Sequence, residues 1–101
     1  MNDYILLMHD DAVDRQAADD GERWGRYLQG LRAAGHFDGG SAVGAGLCCR
    51  AGHPDRVAPA GPTGFLRVRA DSLDEVRRYL AGNPVYEAGG TVEIRELPRD
   101  D

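Results

Sequence analysis

Ser72-Leu73-Asp74-Glu75 is a complete S-x-x-E capping box, and it follows directly on a segment, Gly64 to Ala70, that alternates residue by residue. Such a box fixes where a helix begins, because the serine hydroxyl accepts a first-turn amide and the glutamate reaches back to the cap's own amide. In the preceding segment Leu66, Val68 and Ala70 fall on one face and Phe65, Arg67 and Arg69 on the other, the two-residue period of a half-buried strand. The helix carries Val76, Tyr79 and Leu80 as its apolar stripe and is ended by Gly82-Asn83-Pro84. Thr91 to Leu97 alternates again, Val92 and Ile94 against Glu93 and Arg95, and reads as the last strand.

The first half repeats the plan less clearly. Tyr4 to His9 is a short, nearly continuous apolar run of the kind that forms a central strand. Asp19-Asp20-Gly21-Glu22 reads as a variant capping box with Asp19 as the cap, opening a helix whose apolar positions are Trp24, Tyr27, Leu28, Leu31 and Ala34. Gly25 and Gly30 lie inside it, and close approach to a sheet would account for both. A second strand is expected around Ala42 to Cys49, and Ala51 to Thr63 reads as a surface loop. The order β-α-β-β-α-β is the ferredoxin-like α+β plan, a four-stranded antiparallel sheet with both helices on one face. The other face is left bare, with Phe65 on it, and a second copy of the chain is the expected cover, giving a homodimer.

At 101 residues, 42% hydrophobic and 29% charged, the chain has the size and composition of one globular domain, here taken as residues 1–101. A formal charge of −5 argues against nucleic acid as a partner. All twelve basic residues are arginine, as in a GC-rich bacterial genome, so Schiff-base chemistry through a lysine is excluded. The only early apolar run is too short for a signal segment, so a cytoplasmic protein with no membrane partner is expected. Cys48 and Cys49 are adjacent, a spacing that matches no zinc motif and places Cβ atoms badly for a disulfide, so both are read as inert thiols.

Few residues offer chemistry. His9 ends the first strand beside Asp10 and Asp11, either of which could orient it as a general base. A strand-end histidine is more often a satisfied polar residue. Arg67 and Arg69 share the face that should line a sheet-to-sheet interface, where they donate to a substrate carboxylate, form ion pairs within or across the dimer, or are simply solvent-exposed at strand ends. Gly39-Gly40 and Gly44-x-Gly46 lack the lysine and the strand-to-helix context of a phosphate loop. No Cys/His set has ligand spacing, so neither a metal nor another cofactor is expected.

The opening YILLMHDD, the helix entry GERWGRYLQGLRAAG and above all SLDEVRRYLAGNPVYEAGGTVEIRELP resemble the YCII-related proteins, which include the DGPF-domain proteins. The resemblance spans nearly the whole chain. It implies a ferredoxin-like fold paired as a dimeric α/β barrel, with a cleft in each subunit between the sheet and the first helix. It also implies, for members that act on small organic molecules, a histidine on the first helix and an aspartate before the proline after the second. Those positions are Trp24 and Asn83 here, and the DGPF string is replaced by APAGPTGF. The resemblance therefore implies a homodimer binding a small organic molecule, anionic or carbonyl-bearing, with metal-independent proton transfer of a lyase or isomerase type. Its pocket is expected to have His9, Trp24 and Asn83 at its walls and Arg67 or Arg69 as a polar contact. The alternative is a non-catalytic ligand-binding or interaction module that has lost the acid/base pair.

Overall fold

The computed structural model describes residues 1–99. Its elements are β1 (Asn2–Met8), α1 (Arg15–Ala18), α2 (Gly21–Ala33), β2 (Phe37–Ala42), β3 (Leu47–Cys48), β4 (Arg56–Val57), β5 (Gly64–Ala70), α3 (Leu73–Arg78), α4 (Pro84–Glu87) and β6 (Val92–Leu97). Four strands form one antiparallel sheet in the order β2-β5-β1-β6. This is the ferredoxin-like α+β fold, with β1 and β5 in the middle. No helix is long and apolar enough to cross a membrane among the described residues.

The alternation seen in the sequence decides which side chains meet the helices. Tyr4, Leu6 and Met8 of β1 and Leu66, Val68 and Ala70 of β5 are buried, joined by Tyr27 and Leu31 of α2 and Val76 of α3. Leu6 and Val76 are wholly inaccessible, and burying a side chain of this size is worth about 1.5 to 3 kcal/mol. Hydroxyls tie the helices down. Tyr27 donates to the Tyr79 carbonyl at 2.8 Å, and the single Tyr79 hydroxyl proton is shared between the Arg69 carbonyl at 3.1 Å and Glu75 Oε1 at 2.9 Å. The Tyr79 ring stacks on His36 with centroids 4.3 Å apart. Burial and the Glu75 carboxylate push the Tyr79 phenol well above its ordinary range.

The opposite face of the sheet carries Asp3, Ile5 and Leu7 of β1, Phe65, Arg67 and Arg69 of β5, and Glu93, Arg95 and Leu97 of β6, as the pairing register requires. Nothing among the described residues covers it: they measure 46 × 41 × 19 Å, and the short dimension accommodates one sheet and one helix layer, spaced about 10 Å apart.

Several local expectations are corrected. The second strand is Phe37–Ala42, earlier than Ala42 to Cys49, because β2 needs the glycine pair: Gly39 has φ of 100°, the register shifts between Phe37 and Gly40, and any Cβ on Gly40 would collide with the Phe65 carbonyl. Leu47–Cys48 instead pairs with Arg56–Val57, so the expected loop holds half of a small hairpin. The cap of α2 is Asp20, accepting from the amides of Glu22 and Arg23, while Asp19 closes the extra turn α1. The second helix is as expected, capped by Ser72 through the Glu75 amide and over before Gly82-Asn83-Pro84, but a further short turn follows it, α4, which Asn83 opens as N-cap with Pro84 behind it. Gly25 and Gly30 do not approach the sheet, for a Cβ at either would meet open space.

Candidate functional site

Trp24 and His9 each line a concavity, and the two concavities lie on different sides of the sheet. The first is a cleft of about 460 Å³ between α2 and the β2 edge, walled by Met8, Trp24, Leu28, Phe37 and Leu66 with Arg32 at its rim. Its size suits a small organic ligand. The space exists because β2 presents Gly39 and Gly40 on this side rather than side chains. Trp24 is fixed in it, since the indole N–H donates to the Ala18 carbonyl at 2.7 Å and the ring meets Tyr27 edge to face at 5.9 Å. The Arg32 guanidinium sits 5.0 Å from the centre of the Phe37 ring, a cation–π contact that holds a positive charge beside the apolar wall. Asp19 is the carboxylate in the lining, and no histidine or cysteine belongs to it.

The second concavity, also about 460 Å³, lies at the end of β1 and is lined by Leu7, His9, Asp10, Asp11, Pro62 and Glu93. Glu93 faces Leu7 across the β1–β6 ladder, so its side chain shares the bare face with that of His9, two residues further on. His9 Nε2 lies 2.8 Å from Glu93 Oε1, and Arg95 Nε donates to the other oxygen of the same carboxylate. These two donors, Arg95 first and His9 second, hold Glu93 below the usual carboxylate range.

The expected partners of His9 are otherwise engaged. Asp10 pairs with Arg15 at 3.2 Å, and Asp11 accepts from the Thr91 amide at 2.8 Å and the Thr91 hydroxyl at 2.6 Å. Those Thr91 bonds hold Asp11 below its ordinary range. The carboxylate that reaches His9 is thus Glu93, 84 positions away in sequence. The alternation of the last strand had set Glu93 and Arg95 on one face; the order of strands then brings that face to β1.

The remaining candidates are dispersed. Asn83 is fully buried and lines neither concavity; its Oδ1 accepts the amides of Val85 and Tyr86 at 3.0 and 3.1 Å. Arg67 and Arg69 stand on the bare face outside both clefts, Arg67 exposed and Arg69 half-buried. The structure does not bring His9, Trp24 and Asn83 to one wall. Arg32 and Phe37, which sequence reasoning did not single out, belong to the Trp24 cleft instead. Cys48 and Cys49 are free thiols on the β3–β4 hairpin, and no three His, Cys, Asp or Glu residues are grouped to hold a metal among the described residues.

No family model matches the chain, and no curated protein matches it. Among solved structures it is similar to the 5-chloro-2-hydroxyhydroquinone dehydrochlorinase of Burkholderia phenoliruptrix AC1100 in complex with 2,5-dihydroxybenzoquinone. The two share 20% identity over 97% of this chain and 95% of that one, with a TM-score of 0.61. At that identity the likeness speaks for the fold.

Proposed function

We propose that this chain is a YCII-like homodimer that binds a small planar organic molecule, bearing an anionic or carbonyl group, in the cleft between α2 and β2. The observation that carries the reading is Trp24, locked by Ala18 into the wall of an apolar cleft whose rim cation is Arg32. An aromatic wall takes up a flat apolar ring, and a guanidinium donates to a carboxylate or a polarised carbonyl. The fold neighbour is a dehydrochlorinase seen with a hydroxyquinone, a ligand of this general kind. Within this cleft the reading favours binding over proton transfer, because Trp24 stands where the family resemblance implies histidine and Asn83 is spent on capping α4.

The dimer is supported by the bare face. Ile5, Leu7 and Phe65 are half-exposed there, and the charges around them that lie outside the His9 concavity carry both signs, Asp3 against Arg67 and Arg69. A patch of mixed sign can be complementary to itself about a two-fold axis.

Trp24 is the only tryptophan, so its indole N–H resonance reports on the cleft alone. Titration with 2,5-dihydroxybenzoquinone and with 4-hydroxybenzoate should shift that resonance saturably, and Arg32→Gln should weaken both by about tenfold, the usual worth of one charged hydrogen bond. An indole resonance that stays in place, or saturation unaltered by Arg32→Gln, removes the cleft from consideration.

A further inference from the structure

The His9–Glu93 pair is not used by the cleft just described, and its geometry has its own consequence. An ionised carboxylate has no proton to give, so a ring nitrogen 2.8 Å from Glu93 Oε1 must be the N–H of the imidazole. The neutral ring is therefore held as the Nε2–H tautomer, which leaves the lone pair on Nδ1. No hydrogen bond among the described residues engages Nδ1. Both oxygens of Glu93 are occupied, one by His9 and one by Arg95, so the carboxylate cannot turn away from the ring. Asp10 and Asp11, the other carboxylates of the concavity, are tied to Arg15 and Thr91 and do not compete for it.

We propose that His9 and Glu93 form a general-base dyad at the end of β1, with His9 Nδ1 accepting a proton from a neutral or cationic small molecule and Glu93 acting as the positioning residue. The substrate gives up a C–H, N–H or O–H proton to Nδ1, its bonding pair stays on the substrate, and the resulting imidazolium is paired with Glu93. The His9 side chain is 42% exposed, so the proton leaves to water and the base is restored. Asp10, Asp11 and Glu93 line the same concavity, and this surplus of negative charge repels an anionic ligand. The site therefore differs in charge preference from the α2 cleft with its Arg32 rim, and either can fail without the other.

The test uses 5-nitrobenzisoxazole, a neutral planar compound whose C3–H is removed by a base while its N–O bond breaks to give a coloured nitrophenolate. The intact chain should open it faster than free imidazole at equal concentration, by on the order of 10²-fold, the ordinary gain from a positioned base. His9→Ala should abolish that gain, whereas His36→Ala and His53→Ala should leave it. Glu93→Gln should lower kcat about tenfold with little change in KM, since the ring loses the carboxylate that fixes its tautomer and pairs with the imidazolium, and Glu93→Asp should recover part of the loss. Benzylamine should compete, and benzoate should not. A rate no greater than that of free imidazole, a gain that survives His9→Ala, a Glu93→Gln kcat equal to the parent's, or competition by benzoate in place of benzylamine would each overturn the dyad.

Discussion

Asn83 accepts the Val85 amide at 3.0 Å from a position with no solvent exposure, so the first turn of α4 hangs on one buried side chain. The same Oδ1 takes the Tyr86 amide, and Pro84 supplies the φ that the first helical position needs. Asn83→Ala should therefore cost about 1 to 2 kcal/mol, the usual worth of an N-cap side chain. Urea unfolding of the variant would show it as a lower midpoint at unchanged slope. Ligand affinity in the α2 cleft should stay the same, because Asn83 does not line that cleft. An affinity change without a stability change would place Asn83 in the site after all.

Gly25 and Gly30 occupy the exposed side of α2, and a Cβ at either would touch nothing. Alanine there restricts the unfolded chain and favours helix at no steric cost. Each of Gly25→Ala and Gly30→Ala should raise stability by about 0.5 to 1 kcal/mol, and the pair should add, since the two sites share no partner. Thermal unfolding of the single and double variants measures this.

Acid should unfold the protein through a small set of carboxylates. Asp11 is held below its ordinary range first by the Thr91 hydroxyl, and Glu75 first by the Asp71 amide. A carboxylate depressed in the folded state contributes stability above its unfolded value and loses it as pH falls through the folded one. Stability should therefore be level from neutral pH down to about 5 and fall below about pH 4, where free carboxylates protonate. Asp11→Asn and Glu75→Gln should each flatten that fall and lower stability at neutral pH. Urea midpoints taken between pH 3 and 7 would give the slopes directly.

The bare face predicts its own disruption. Leu7 lies in the middle of it, paired with Phe65 on one side and Glu93 on the other, and points away from the helices. Leu7→Asp should convert a dimer to a monomer in sedimentation at micromolar concentration while leaving the core and the far-ultraviolet spectrum intact. A parent protein already monomeric at that concentration would dispose of the dimer.

The elements that were legible beforehand are those whose signals are local. The Ser72 box, the alternation of Gly64–Ala70 and of Val92–Leu97, and the apolar run of β1 each state their own structure within a few residues, because caps and two-residue periods are set by neighbours in the chain. The β2 strand was misplaced because its signal is not local. Phe37–Ala42 has no alternating apolar face, and its glycines make sense only once the Phe65 carbonyl of β5 is in place.

The site divides along the same line. Sequence alone supplied the residue types: a histidine at the end of β1, a tryptophan on the first long helix, an asparagine before Pro84, and no lysine anywhere. The tertiary structure decided their company. It gave His9 the carboxylate of Glu93 rather than that of its neighbours Asp10 and Asp11, since adjacent residues at a strand end turn to other partners while strand pairing joins positions far apart. It also separated Trp24, His9 and Asn83 into a cleft under α2, a concavity on the bare face and the core. Which side of a sheet a residue occupies is legible from its parity, but what stands opposite it depends on strand order and register, and those are set by packing of the whole chain.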